Sequence, residues 1–104
     1  MRQPVFSKTA SSTFWYLYRQ LQDNSFFDPL YDDYPYSIDL PETVIVIHGK
    51  KQTMLSAYGT NKDVDPKRSF ILLVAENGQR YLLNHFGHLY DGLQCKFCRS
   101  IYHK

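Results

Sequence analysis

The sequence predicts an α+β domain in which one amphipathic helix precedes an antiparallel sheet of about four strands. Apolar residues recur every three or four positions in 11–22, short apolar runs follow between 43 and 84, and an Asn-Gly pair separates the last two runs. Sequential strands with short connections favour antiparallel pairing. The 104 residues match the length of a single compact domain, 1–104.

The first element is a helix predicted over 11–22. Phe14, Leu17, Tyr18 and Leu21 stand three or four residues apart, so they share one face of a helix. Hydroxyl residues just before this stripe can cap the helix. We expect the apolar face to cover the sheet.

The segment 23–42 is predicted to be an ordered acidic and aromatic loop. Prolines at 29, 35 and 41 argue against a long helix or a central strand, because proline lacks the backbone N–H that both need. The segment also holds eight large apolar side chains, which are too many to leave in water. We therefore expect it to lie over the domain or over a partner.

Two hairpins are predicted downstream of this loop. Their four strands are expected at 43–48, 53–58, 70–76 and 80–84. Asn77 and Gly78 between the last two strands are a strong hairpin signal, because both central residues of a two-residue turn need positive φ.

The tail after residue 84 allows two predictions. Leu93, Phe97 and Ile101 are spaced by four and Asp91 can cap them, which favours a C-terminal helix. If the tail is a strand instead, the alternative fold is a small five-stranded barrel of SH3-like or OB-like kind. These barrel names describe a pattern of strands and imply no function.

The two cysteines raise the question of a zinc site. Cys95, Cys98 and His103 have the spacing of the first three ligands of a retroviral-type zinc knuckle. The fourth position of that motif has no residue in this sequence, and only His85 or His88 could replace it. Because both histidines lie upstream across Gly87 and Gly92, and a helix from Asp91 would point the thiols away from its apolar stripe, we predict no structural metal and no cofactor.

The sequence offers no catalytic constellation. It has no glycine-rich phosphate loop and no Gly-x-Ser-x-Gly elbow, so we predict a protein that is not an enzyme. The longest apolar run, 70–75, is too short to span a bilayer, and no export signal is visible. These features predict a cytoplasmic protein with reduced cysteines and no membrane partner.

The net charge of +2 hides a strong segregation. Residues 1–19 carry +3, residues 20–49 carry −6 without any Lys or Arg, and residues 50–104 carry +5. Such an arrangement bears on the choice of partner rather than on the fold.

This charge pattern predicts a non-enzymatic protein-binding module. Carboxylates interleaved with aromatic rings suit a basic groove on a partner protein, because charge steers the approach and rings anchor the contact. Nucleic-acid-processing enzymes have such grooves, so a small nucleic-acid-mimicking inhibitor of the phage anti-CRISPR or anti-restriction type is the specific form of this hypothesis. The expected contact residues are Asp28, Tyr31, Asp32, Asp33, Tyr34, Tyr36 and Asp39.

The alternative function is direct nucleic-acid binding by the basic, aromatic C-terminal half. Nine basic residues in 50–104 would contact phosphates, and zinc at the tail would support the domain. The aromatic residues available to stack on bases are Tyr81, Tyr90, Phe97 and Tyr102. Affinity for nucleic acid and its dependence on salt separate the two hypotheses.

Overall fold

A computed structural model of the chain describes residues 5–6, 11–31, 33–47, 49–60 and 65–91. The described chain contains one α-helix, eight β-strands and one 3₁₀ turn. The elements are β1 (Val5–Phe6), α1 (Ser11–Asn24), β2 (Phe26–Tyr31), β3 (Tyr34–Asp39), β4 (Val44–Ile47), β5 (Lys50–Gly59), the 3₁₀ turn (Pro66–Arg68), β6 (Ile71–Ala75), β7 (Arg80–Leu83) and β8 (Leu89–Asp91).

Helix α1 is present where the apolar stripe predicts it. Phe14, Leu17 and Leu21 are buried and Tyr18 packs at the margin of the same core, so the stripe faces the sheet. The Ser11 hydroxyl donates to the carbonyl of His85 at 2.9 Å, which ties the start of the helix to the loop before β8. Neither α1 nor the 3₁₀ turn has the length and apolarity to cross a bilayer.

Strand β5 is the centre of the sheet. Its ten residues pair on one side with β6 and on the other with β3 and β4, which lie end to end. The chain bulges between β3 and β4: the Leu40 N–H donates to Leu55 O, and the Met54 N–H donates to Thr43 O. Glu42 in this bulge has a φ of 62°.

The outer strands extend the sheet on both sides. Strand β2 pairs with β3 and strand β1 pairs with β4, while β7 and β8 follow β6 in order. Among the described strands, the β1–β4 pair is parallel and all other pairs are antiparallel.

The predicted fold class is wrong in the segment 23–42, which forms the hairpin β2–β3 and not a loop. The prolines are tolerated because Pro29 and Pro35 fall where the register of the hairpin shifts, between the pair Phe27–Tyr36 and the pair Tyr31–Tyr34. At such a bulge the backbone leaves the regular ladder, so a missing N–H costs little. The sheet is therefore larger than the predicted four strands.

The part of the tail that the structure describes is a strand, and the predicted C-terminal helix is not found there. Leu89–Asp91 forms strand β8 against β7, with Leu89 opposite Leu83 and Tyr90 opposite Leu82. Leu89 packs towards the helix-side core and Tyr90 towards the other face, which is the alternation of a strand. Residues 92–104, which held the rest of that prediction, lie outside the described residues. The small barrel-like fold dominated by sheet, our alternative, fits better.

The Asn-Gly hairpin is confirmed, although its turn differs from the predicted type. The Gly78 N–H donates to Ala75 O at 3.0 Å, and the Ala75 N–H donates to Gln79 O at 2.9 Å. These bonds enclose a three-residue loop in which Gly78 has a φ of 91°. Glu42 is the one described non-glycine residue with positive φ, so Asn77 does not have it. Asn77 contributes its side chain instead, because its Oδ1 accepts from the Gln79 N–H at 2.9 Å.

Both faces of the sheet are apolar. In β6, Ile71 and Leu73 face the helix-side core whereas Leu72 faces the other side, which explains the unbroken apolar run there. The face opposite the helix carries a second cluster, made of Tyr34, Tyr58, Leu72 and Leu82 with half-buried Tyr31, Phe70, Val74 and Tyr90 around them.

Candidate protein-binding surface

The hairpin β2–β3 exposes three large apolar side chains on its outer strand. Phe27 is 67% exposed and Leu30 is 66% exposed, and Phe26 is also exposed. Within the described part of the chain, β2 pairs only with β3, so its other side has no neighbouring strand. An edge strand with exposed apolar residues is a typical site of interaction with another chain.

Carboxylates lie beside these apolar groups. Asp33 and Asp39 are exposed, one at the turn of the hairpin and one at the end of β3. Asp28 is half-buried and its carboxylate accepts from the Tyr58 hydroxyl at 3.5 Å. Asp32, another expected contact, lies outside the described residues.

The three expected contact tyrosines differ in burial. Tyr34 is only 4% exposed and belongs to the second cluster, where it packs within the protein. Tyr31 is half-buried and Tyr36 is half-buried against Phe27, with ring centroids 6.0 Å apart and an interplanar angle of 76°. The structure therefore leaves parts of two of these rings available to a partner.

We define the hairpin surface as Phe26, Phe27, Leu30, Asp33 and Asp39. The charge pattern of the sequence predicts its acidic residues as contacts but does not predict its apolar ones. One signal points to them: two consecutive phenylalanines occur two residues before a proline. Consecutive apolar residues on a strand point to opposite faces, and on an edge strand both faces can meet solvent.

A cavity adjoins the hairpin surface where α1 passes β3. Its volume is about 260 Å³. It is lined by Tyr16, Gln20, Asn24, Phe26, Ile38, Asp39, Leu40 and Thr43. Thr43 is 1% exposed, and its Oγ1 has no hydrogen-bond partner in the described structure.

A second surface lies elsewhere on the domain and is basic. A groove of about 420 Å³ is lined by Lys67, Arg68, Ser69, Phe70, Asn84, His85, Phe86 and Tyr90. Phe86 is 65% exposed. The Asn84 side chain holds the loop before β8 in shape, since its Oδ1 accepts from the N–H groups of Phe86 and His88.

The expected zinc ligands are only partly described. Cys95, Cys98 and His103 lie outside the described residues. His85 packs beside Phe86, with ring centroids 4.0 Å apart. In the ranges that the structure covers, no three His, Cys, Asp or Glu side chains form a group suited to a metal ion.

The described chain therefore has two candidate binding surfaces. One is acidic and apolar and lies on an edge hairpin, and the other is basic and aromatic and lies between the 3₁₀ turn and β8. Comparison of the chain with protein-family models, with curated proteins and with solved structures finds no match.

Proposed function

We propose that this protein is a non-enzymatic protein-binding module that places its hairpin surface in a basic groove of a partner protein. The observation that carries the proposal is the exposure of Phe27 and Leu30, at 67% and 66%, beside the carboxylates of Asp33 and Asp39. Apolar anchors surrounded by charge are the usual composition of a protein interface.

The apolar side chains supply the affinity in this proposal. Fully burying a Phe or Leu side chain contributes about 1.5–3 kcal/mol. Phe27 and Leu30 leave about two-thirds of their surface for a partner to cover. Because they occupy an edge strand, a partner can reach them without rearrangement of the sheet.

In this proposal the carboxylates determine which kind of partner binds. Residues 20–49 carry a charge of −6, and this segment includes the whole hairpin. Like charges on a partner would be repelled, whereas a basic groove would attract this segment and raise the association rate. A basic groove is what a nucleic-acid-processing enzyme presents to its substrate, so the specific form of the proposal is a nucleic-acid-mimicking inhibitor of anti-CRISPR or anti-restriction type. The cytoplasm is the proposed compartment.

The proposal is tested with the double variant Phe27→Ser and Leu30→Ser. A partner is first identified by affinity capture with the tagged protein, and its affinity for each purified variant is then measured by calorimetry. We expect the double variant to lose no more than about 1–2 kcal/mol of unfolding free energy, because both side chains are largely exposed and Phe27 gives up one ring contact, with Tyr36. We expect its Kd to rise by at least about tenfold, since two anchors are lost.

Phe86→Ser is the matched control for this experiment. Phe86 is 65% exposed, like Phe27, but it lies in the basic groove. We expect this variant to bind the partner as the wild type does. If Phe86→Ser weakens binding and the double variant does not, the hairpin surface is not the interface.

Nucleic-acid binding is the second candidate function, and the basic groove favours it. Lys67 and Arg68 stand beside the rings of Phe70, Phe86 and Tyr90. Cations that contact phosphates and rings that stack on bases are the elements of single-strand recognition.

A further inference from the structure

Two surfaces of this chain have opposite composition. The hairpin surface presents Phe27 and Leu30, 67% and 66% exposed, beside carboxylates. The basic groove, of about 420 Å³, presents Phe86 at 65% exposure, and Lys67 and Arg68 in its lining are exposed as well. Each surface therefore has apolar area that another chain can cover, and each carries charge of the sign that the other attracts.

Acidic groups do not neutralise the basic groove from within its own lining. Among the described residues that form it there is no Asp or Glu. Asp65 stands two residues before Lys67, and its Oδ1 accepts from the Lys67 N–H at 3.0 Å as the cap of the 3₁₀ turn. On the other surface, residues 20–49 carry −6 without any Lys or Arg. The groove and the hairpin surface therefore keep opposite signs.

Charge decides which of these surfaces attract each other when two copies of the chain meet. Two hairpin surfaces would bring carboxylates together, and two basic grooves would bring cations together, so both symmetric contacts are repulsive. A hairpin surface and a basic groove attract each other. The favoured contact between two copies is therefore head to tail and not two-fold symmetric.

The two surfaces lie on different sides of the central strand. The hairpin β2–β3 pairs with one side of β5, whereas β6, β7 and β8 follow on its other side. The groove is lined by residues around the 3₁₀ turn and β8, and none of its described lining residues belongs to β2 or β3. The hairpin of the same chain therefore leaves the groove open to the hairpin of a second copy.

We propose that the hairpin surface of one copy docks into the basic groove of a second copy. Phe27 and Leu30 cover the exposed ring of Phe86, and the hairpin carboxylates face Lys67 and Arg68. Aromatic pairs at such a contact add to the gain from burial. Each pair of copies keeps one free hairpin and one free groove, so the assembly continues into a ring or an open chain. This inference goes beyond the proposed function, since both surfaces belong to this chain and no outside partner is involved.

Sedimentation velocity of the wild type detects this self-association. A contact built on a few side chains is small, so we expect weak association that grows with protein concentration and continues past the dimer. We expect it to weaken at high salt, because exposed charges are screened there.

Mixing two variants tests which surfaces meet. The hairpin variant carries Phe27→Ser and Leu30→Ser, and the groove variant carries Lys67→Gln, Arg68→Gln and Phe86→Ser. We expect each variant alone to self-associate at least about tenfold more weakly than the wild type, because it lacks one half of the contact. An equimolar mixture should form a heterodimer, since one variant keeps the groove and the other keeps the hairpin surface. Growth should stop at the dimer, because the two remaining surfaces are the altered ones.

Leu55→Ser is the matched control for loss of exposed apolar area. Leu55 is 56% exposed and belongs neither to the hairpin surface nor to the groove lining. We expect this variant to self-associate as the wild type does. Thermal unfolding followed by circular dichroism checks that every variant is folded.

A pair of charge variants keeps the test decisive if a serine variant does not fold. One variant carries Lys67→Glu with Arg68→Glu, and the other carries Asp33→Lys with Asp39→Lys; all four side chains are exposed. We expect each reversal to abolish self-association at low salt and the mixture of the two variants to restore a heterodimer.

Several results would overturn the inference. They are a wild type that stays monomeric at every concentration, a groove variant or a hairpin variant that associates as the wild type does, or mixtures that give no heterodimer. The proposed function is tested apart from this, with an outside partner and with protein dilute enough to keep the weak self-contact dissociated. If the hairpin variant loses the outside partner but the mixtures give no heterodimer, the proposed function stands without this inference. If the mixtures give heterodimers and the outside partner binds the hairpin variant normally, this inference stands alone.

Discussion

The ring of Tyr31 meets the ring of Tyr58 edge to face, with centroids 4.9 Å apart and an interplanar angle of 75°. Tyr31 ends the edge strand β2, whereas Tyr58 is buried on the central strand β5. The Tyr58 hydroxyl also donates to the carboxylate of Asp28 at 3.5 Å. One core residue therefore holds the outer strand of the hairpin at two points.

We predict that Tyr31→Ala lowers the free energy of unfolding by about 1–2 kcal/mol. The loss combines an aromatic pair, about 0.5–1.5 kcal/mol, with part of the buried area of a half-buried ring. Urea denaturation measures the change. Tyr31→Phe keeps the ring and should retain nearly all of the stability. If Tyr31→Phe destabilises as much as Tyr31→Ala does, the ring contact is not the cause.

Regular patterns in the sequence predicted the elements near the centre of the fold. The stripe of α1 and the Asn77–Gly78 hairpin depend on neighbours close in sequence, and both are present. The β2–β3 hairpin was missed because its prolines argue against a strand unless the register shift is known. That shift depends on how Tyr31 pairs with Tyr34, which local pattern does not show.

The candidate site was predictable in its charge but not in its geometry. The absence of Lys and Arg from 20–49 is visible in the sequence. The burial of Tyr34 and the exposure of Phe27 are not visible there, because each depends on which strand covers the side chain. The cavity beside Thr43 is not predictable from local pattern either, since it forms where α1 crosses a bulge.

We predict that Gly59→Ala destabilises the protein by about 1–2 kcal/mol. A Cβ at Gly59 would lie 2.9 Å from Cδ1 of Leu21, which is buried on the sheet-facing side of α1. Overpacking of this kind typically costs about 1–3 kcal/mol. Thermal unfolding monitored by circular dichroism measures the effect.

The steric origin of this effect is tested in a variant whose side chain at position 21 is shortened. Leu21→Ala removes the atom that the new Cβ would meet, at its own cost of about 2–5 kcal/mol. In that background we expect Gly59→Ala to cost almost nothing, so the two changes are strongly non-additive. Additive effects would mean that the clash with Leu21 is not what Gly59 avoids.

We predict that changing Asp28, Asp32 and Asp33 together to Asn slows association with the partner by roughly tenfold at low salt. These residues hold half of the acidic charge of 20–49, and charge of this sign steers a basic partner. Asn keeps an acceptor for the Tyr58 hydroxyl, so stability should stay within about 0.5 kcal/mol. Stopped-flow association at two salt concentrations measures the rate.

The matched control removes three carboxylates outside residues 20–49. Asp63→Asn, Asp65→Asn and Glu76→Gln change the net charge equally, and Asn at position 65 can still cap the 3₁₀ turn. We expect a much smaller change of rate from this variant. Equal slowing in both variants would mean that net charge, and not the hairpin, steers the partner.

We predict that the protein does not bind single-stranded DNA or RNA beyond weak non-specific attraction. Among the residues that the structure describes, the basic groove contributes two Lys or Arg side chains, Lys67 and Arg68, and residues 20–49 carry −6. Fluorescence anisotropy with labelled oligothymidine and oligouridine at two salt concentrations tests this. Two phosphate contacts on a single strand would give a slope of log K against log salt near −1.4, about −0.7 for each. Measurable affinity with such a slope, lost in Lys67→Gln with Arg68→Gln and weakened in Phe86→Ser, would contradict this prediction and make the basic groove the functional site.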